Sequence, residues 1–381
     1  MAGRLKEYLQ DPFLNRMYND IRQVGPLKSI LIDLTHICNI RCQGCYFFAE
    51  DMDKNKAPRE EAEFDAFIER EKARGTNFVS VAGGEPSLML HRLKKIYDNF
   101  WLMVVTNGLR RIPYEGFENM PIAVSVWGDH ATDIILRGSG KLDVFARGLQ
   151  NYKEDPRVLW YYTTTTGNAY QIENVVEQCV QNGNYVLFNF YGDLAHKGGE
   201  LDHQQGFEQV RRNINRMIER YPDKILLSSY ISKVVSSGRL YAEEWGYDVC
   251  CSISANNEIN KERLQNGKPY NTHFRAYNPD LKSTRRCCIG QERDCSTCFD
   301  VWAHFSWIML NMKYHMASKQ EFTNWLTTMY LFYLINRIVN FEVGVKLLPE
   351  LHQRVGLGDD TPTTSNSKYD LPGSFKMGSI S

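Results

Sequence analysis

Apolar residues along the chain fall into short runs separated by stretches of helical spacing. Residues 29–35 read Ser-Ile-Leu-Ile-Asp-Leu-Thr, and 77–82, 101–106, 122–126, 158–164 and 185–190 are further short runs rich in β-branched and aromatic residues. Runs of this length and composition predict six strands. Residues 58–75 predict a helix, with Pro58 near its start, acidic residues in its first turns, Lys72 and Arg74 late, and Gly75 as a stop. Further helices are predicted between the second and third strands and over 141–152, 172–182 and 203–222. Residues 1–27 read as a helical lead-in, with Tyr8, Leu9, Phe13, Leu14, Met17 and Tyr18 at loosely helical spacing.

Strand–helix alternation of this kind implies parallel strands joined by crossover helices, which an open sheet of the flavodoxin type and a barrel both satisfy. The distinctive residues fall at the carboxyl ends of the strands, where both architectures place their sites. Beyond residue 222 the pattern changes. Residues 240–300 are irregular and hold six of the ten cysteines, so bound metal is expected to organise them. Residues 301–342 are apolar and helical, and 356–381 are rich in Thr, Ser, Gly and Asp and expected to be mobile. The expected organisation is therefore a lead-in (1–27), an α/β unit (28–222), a cysteine-rich region (223–300), C-terminal helices (301–355) and a tail (356–381).

Composition narrows the function. Lys plus Arg and Asp plus Glu both number 45, so bulk charge draws no polyanion and nucleic acid is not an expected partner. The opening residues, Met-Ala-Gly-Arg-Leu-Lys, carry no apolar signal, and a cytoplasmic chain is expected. In that setting cysteines are metal ligands or free thiols rather than disulfides. The longest apolar stretch, 325–341, is interrupted by Asn336 and Arg337, which disfavours a membrane span. With the run Trp302 to Met312 it is expected to form a helix pair packed on the α/β unit and the cysteine-rich region, with an interfacial helix or an apolar substrate channel as the alternative.

The chemistry centres on Cys38-Asn39-Ile40-Arg41-Cys42-Gln43-Gly44-Cys45, directly after the first strand. Thiolates at this spacing can reach three corners of one iron–sulfur cube, leaving one iron open to another ligand. A structural zinc wants four protein ligands, usually as paired knuckles, which a lone triplet fits poorly. The second strand ends in Gly83-Gly84-Glu85-Pro86, the third in Thr106-Asn107-Gly108 and the fourth in Ser125-Val126-Trp127-Gly128. Leu136-Arg137-Gly138 follows, and Asp129, His130 and Asp133 are expected in the loop before it. Thr163 to Thr166 with Asn168 end the fifth strand, and Asn189, Tyr191 and Asp193 end or follow the sixth. Turn and capping roles compete with substrate contact for these later residues.

C-x3-C-x2-C after a first strand, with a glycine-rich motif after the second, resembles the radical S-adenosylmethionine (SAM) enzymes. The resemblance implies a partial (β/α)6 barrel, a 4Fe–4S cluster held by Cys38, Cys42 and Cys45, and SAM on the open iron. The reduced cluster cleaves SAM to a 5′-deoxyadenosyl radical that abstracts a hydrogen from substrate. It further implies that Gly83, Gly84 and Glu85 meet the SAM amino group. Asn107 and Ser125 would approach its ribose and methionine parts, and Arg137 its carboxylate. Many relatives carry an aromatic residue immediately before the third cysteine. Here that position is Gly44, and Tyr46 or Phe47 would take over the adenine contact.

The second cysteine group is Cys287-Cys288 followed by Cys295 and Cys298, with Cys250 and Cys251 upstream. It resembles the auxiliary-cluster extensions of the SPASM and twitch subgroups, with a departure from their regular spacing, and more loosely the cysteine-containing C-terminal part of hopanoid adenosyl-transferring relatives. An auxiliary 4Fe–4S cluster, a structural zinc and free thiols are the open readings. One auxiliary cluster would use Cys288, Cys295 and Cys298 with one of Cys250, Cys251 or Cys287. The expected partners are a small-molecule biosynthetic intermediate and a one-electron donor such as flavodoxin or ferredoxin. The lead-in is shorter than a peptide-recognition or cobalamin domain, which favours that substrate class and disfavours cobalamin-dependent methyl transfer. A lipid precursor handled at a membrane surface, and a structural metal protein without SAM chemistry, are the alternatives.

Overall fold

The computed structural model describes residues 2–191, 207–236, 250, 252–261, 271–291 and 298–357. Six parallel strands form its centre: β1 (Ser29–Asp33), β2 (Phe78–Ala82), β3 (Trp101–Thr106), β4 (Ile122–Val126), β5 (Val158–Thr164) and β6 (Tyr185–Phe190). They lie side by side in chain order. Two short strands, β7 (Ala276–Tyr277) and β8 (Thr284–Arg285), extend the sheet beyond β1, with β7 parallel to β1 and β8 antiparallel to β7. Part of the cysteine-rich region is thus hydrogen-bonded to the first strand.

Sequential order distinguishes a barrel from a doubly wound sheet. Crossovers of one hand between successive neighbours place their helices on one side of the sheet. The other face must then curve around its own contents. The burial pattern fits that geometry. Leu31, Ser80, Val105, Ser125, Tyr161 and Asn189, one from each strand, are half-buried where most of their neighbours are fully buried. All six line one cavity on the inner face. Their neighbours Ile30, Ile32, Val79, Val81, Val104, Val124, Trp160 and Phe188 belong to the fully buried core. The sequence expectation of a partial (β/α)6 barrel is the observed fold.

The predicted strands agree with the observed ones to within two residues. Helices form at Glu61–Ala73, Leu90–Tyr97, Val144–Asn151, Ile172–Gln181 and Phe207–Arg220. The first begins three residues after Pro58, whose carbonyl instead accepts from Arg92. One expectation is corrected: His130–Leu136 is a helix rather than a loop. Its N-cap is Asp129, whose side chain accepts from the Thr132 amide at 2.9 Å, satisfying a donor that the first turn leaves open. The segment is too short for apolar periodicity to reveal it.

The lead-in forms two helices, Ala2–Tyr8 and Pro12–Val24, the second opened by Asp11 as N-cap with Pro12 in the first turn. It packs on the long helix Lys319–Ile335, which carries twelve buried residues of seventeen. The stretch read as one member of a packed helix pair is therefore core over most of its helical part. Among the described residues no helix is long and apolar enough to cross a membrane. Residues 358–381, expected as a mobile tail, lie outside the described residues, as do Asp193 and residues 203–206.

Candidate active site

The cysteine loop leaves β1 and is tied to several neighbouring elements. The Glu85 amide donates to the Ile37 carbonyl at 2.9 Å, and the Gln43 amide to the Leu136 carbonyl at 2.7 Å. The Tyr191 hydroxyl donates to the Gly44 carbonyl at 3.5 Å. The loop thus hangs between the ends of β2, β6 and the His130–Leu136 helix. Gly44 has φ +64°, a left-handed conformation that side-chain-bearing residues rarely adopt. This accounts for a glycine at that position.

Gly83 and Gly84 are required by close packing. A Cβ on Gly84 would lie 2.3 Å from the Ile37 carbonyl oxygen, and one on Gly83 would lie 2.0 Å from Asp33 Cβ. The glycine-rich turn therefore presses directly on β1 and the cysteine loop. Glu85 is buried, and its carboxylate accepts from Thr106 Oγ1 at 2.6 Å, the Asn107 amide at 2.8 Å and the Ser87 amide at 2.9 Å. It joins the ends of β2 and β3. Asn107 then donates from Nδ2 to Asn39 Oδ1 at 2.7 Å, next to Cys38 Sγ at 3.9 Å.

Arg137 is also buried. Its guanidinium donates to the Ser125 carbonyl at 2.6 Å, to Asp133 at 3.1 Å and to the Asn107 carbonyl at 3.1 Å. It also reaches Cys42, where its charge opposes the rise that burial imposes on the thiol. Burial pushes Cys38 up to about 11 and Cys45 up to about 12. Buried thiols of this kind become thiolates when a metal centre supplies positive charge.

The predicted site residues converge. Cys38, Cys42, Cys45, Tyr46, Gly83, Gly84, Glu85, Asn107, Ser125, Arg137 and Cys288 all line one cavity of about 550 Å³. That volume lies within the usual range of small-molecule sites, about 300–1,000 Å³. Among the described residues no three Cys, His, Asp or Glu side chains converge closely enough to hold a single metal ion. The three thiols nevertheless share one cavity wall. The donor set fits a 4Fe–4S cluster with one iron free of protein ligands.

The second cysteine group lies against the same cavity. The Cys288 amide donates to the Ser252 carbonyl at 2.9 Å, the Ser252 amide donates to Cys250 Sγ at 3.4 Å, and Cys287 pairs antiparallel with Ile253. Cys250, Cys287 and Cys288 are therefore brought together, and Cys298 packs on the apolar core. Cys251 and Cys295 lie outside the described residues.

Among the later residues, Thr163, Asn189 and Tyr191 line the cavity. Asn168 has a turn role, accepting from the Thr165 amide at 2.7 Å and donating to the Trp127 carbonyl at 2.8 Å. Sequence reasoning missed Asp33, Arg285, Tyr161, Asp300 and Trp302. Asp33 and Arg285 form a buried ion pair at the mouth of the cysteine loop, and the other three line the cavity. A carboxylate inside the apolar run Ser-Ile-Leu-Ile-Asp was the one available signal. Burial pushes Tyr161 and Tyr46 well above the usual phenol range. Burial also raises Asp300 to about 6, against two backbone amides that favour its ionised form.

No protein-family model matches the chain, and no curated protein matches it. Solved structures do resemble it. Streptococcus suis SuiB bound to precursor peptide SuiA matches with TM-score 0.41 and 16% identity over 54% of this chain and 49% of that one. The chain thus matches about half the length of that protein. The structure of anSMEcpe with bound AdoMet matches with TM-score 0.49 and 16% identity, over 78% and 84% of the two chains. TYW1 with a lysine–pyruvate adduct bound matches with TM-score 0.35 and 17% identity, over 50% and 72%.

Proposed function

We propose that this chain is a radical SAM enzyme acting on a small molecule. The observation that carries the reading is the meeting, around one cavity inside the sheet, of the three thiols of the 38–45 loop and the Gly83-Gly84-Glu85 turn, which is hydrogen-bonded to Ile37 at the start of that loop. Cys38, Cys42 and Cys45 would hold the cluster, and the polar groups at the ends of β2, β3 and β4 would face SAM. A reduced 4Fe–4S cluster with SAM supplies a 5′-deoxyadenosyl radical able to take a hydrogen atom from a substrate carbon.

The chain's own residues position and enclose. Glu85 and Arg137 direct their charges into hydrogen bonds between strand ends, which fixes the cysteine loop instead of leaving it to thermal motion. Rigid placement of this kind is what a reaction needing close approach of one carbon demands. The rings of Tyr161, Trp302 and Phe332 line the cavity, an apolar wall of the kind that holds water away from a reacting carbon.

For the second cysteine group an auxiliary 4Fe–4S cluster is the reading the gathering of Cys250, Cys287 and Cys288 favours, with Cys295, Cys298 and Cys251 as further candidate ligands. It would exchange an electron with the substrate or bind it. An external one-electron donor such as a flavodoxin or ferredoxin would reduce the first cluster.

The test is anaerobic reconstitution with iron and sulfide counting, in wild type and in a variant with Cys38, Cys42 and Cys45 changed to Ala. The reading expects the variant to lose about four irons relative to wild type. About four irons left in the variant would support the auxiliary cluster, and none left would remove it. Wild type that binds no iron would overturn the proposal as a whole.

A further inference from the structure

One part of the cavity wall is formed by Tyr161, Trp302 and Asp300, with Tyr46 and Cys288 close by. Asp300 begins the helix Val301–Leu310, and its Oδ1 accepts from the amides of Trp302 at 3.0 Å and Ala303 at 3.2 Å. Oδ2 accepts from no described residue. The side chain is half-buried and faces the cavity.

No described side chain compensates that oxygen. Among the described residues the basic side chains lining the cavity are Arg41 and Arg137. Arg41 lies in the cysteine loop and Arg137 reaches Cys42. Arg137 is held by Asp133 and two carbonyls, and Arg41 lies over the Phe48 ring at 4.3 Å. Arg285 is paired with Asp33. A carboxylate partly withdrawn from water without a cation is disfavoured, and a ligand cation relieves that cost.

The neighbouring rings favour the same kind of ligand. Tyr161 and Trp302 are stacked, with centroids 6.5 Å apart at 30°. Trp302 is held in turn by Phe305 at 5.5 Å and Phe332 at 5.8 Å. Fixed aromatic faces beside a carboxylate attract an ammonium group.

We propose that the substrate carries a cationic amino group, and that Asp300 Oδ2 receives this ammonium beside the Tyr161 and Trp302 rings. The inference rests on reading this cavity as the substrate site of a SAM-cleaving enzyme. Capping alone does not require the charge, because Asn or Ser caps a helix about as well as Asp. Asp300→Asn therefore removes the charge and keeps the cap, and Asp300→Ser is a second variant with the same property.

The experiment titrates the reconstituted, SAM-loaded full chain with benzylammonium, and with benzyl alcohol as its neutral counterpart, by ligand-observed NMR. Benzylammonium is expected to bind wild type at least about tenfold more tightly than either variant, the worth of one charge-assisted contact. Benzyl alcohol is expected to bind all three alike. Equal benzylammonium affinity in wild type and a folded variant would overturn the inference, as would tighter binding of the alcohol by wild type. In the same samples, 5′-deoxyadenosine formation by wild type reports on the underlying reading. Its presence together with equal affinities defeats the ammonium site alone, and its absence defeats the SAM reading.

Discussion

Arg285 donates to both carboxylate oxygens of Asp33, and the same guanidinium donates to the backbone carbonyls of Cys287 at 3.2 Å and Cys288 at 3.1 Å. One buried ion pair thus couples the end of β1, from which the first cysteine loop springs, to the second cysteine group. Burial opposes the charge on Arg285, and the Asp33 carboxylate more than offsets it, holding the guanidinium above its ordinary value. Removing one member leaves the other charged and buried. Arg285→Met is expected to destabilise the chain by roughly 3–5 kcal/mol in urea unfolding, with part of the loss regained in the Asp33→Leu/Arg285→Met double variant. A loss under about 1 kcal/mol for the single variant would show that the pair is not a structural link.

Gly84 is expected to tolerate no side chain. A Cβ there meets the Ile37 and Thr35 carbonyl oxygens at 2.3 and 2.6 Å, at φ +53°. Gly84→Ala should displace the cysteine loop and lower the iron retained on reconstitution. Gly25→Ala, with φ +79°, ψ −167° and nothing within 4 Å, should cost only the backbone strain of about 1–3 kcal/mol and leave iron unchanged. Equal iron in the two variants would contradict this packing account.

Glu85→Gln removes a charge that accepts three hydrogen bonds. Whichever way the amide turns, its NH2 faces a backbone donor, the Ser87 amide on one side or the Asn107 amide on the other. The expected cost is about 1–3 kcal/mol in unfolding free energy, measured in urea. A neutral result would mean that the carboxylate is not the joint between β2 and β3.

Stability should fall on mild acidification. His304 and His352 are buried, and burial lowers both to about 4 from 6.5. The unfolded chain therefore binds more protons between those values, so their contribution is full above pH 6.5 and is lost as pH falls toward 4. Each histidine accounts for roughly 3 kcal/mol over that window. Nε2 of His352 meets the Ile225 carbonyl at 3.0 Å. His352→Gln can keep a donor there, and should flatten the dependence of the melting temperature on pH between 6.5 and 4. An unchanged slope would contradict a neutral buried imidazole.

The six strands and the cysteine loop were legible because each rests on local signals: β-branched runs, turn glycines and close thiol spacing. What was not legible depends on contacts between distant segments. Nothing local marks Arg285 as the partner of Asp33, 252 residues away. Nothing local makes Asp300 both a helix cap and a cavity wall. The roles of Glu85 and Arg137 were read toward a ligand, whereas many of their bonds here run to backbone and neighbouring side chains at the strand ends. Only the folded register brings those partners within reach. The His130–Leu136 helix was missed because seven residues carry too little periodicity.

The central claim is tested most directly by incubating the reconstituted chain anaerobically with SAM and dithionite and measuring 5′-deoxyadenosine. The account predicts its formation by wild type and its absence when Cys38, Cys42 and Cys45 are replaced by Ala. Wild type that binds iron yet forms no 5′-deoxyadenosine, or a triple variant that forms as much, would contradict it.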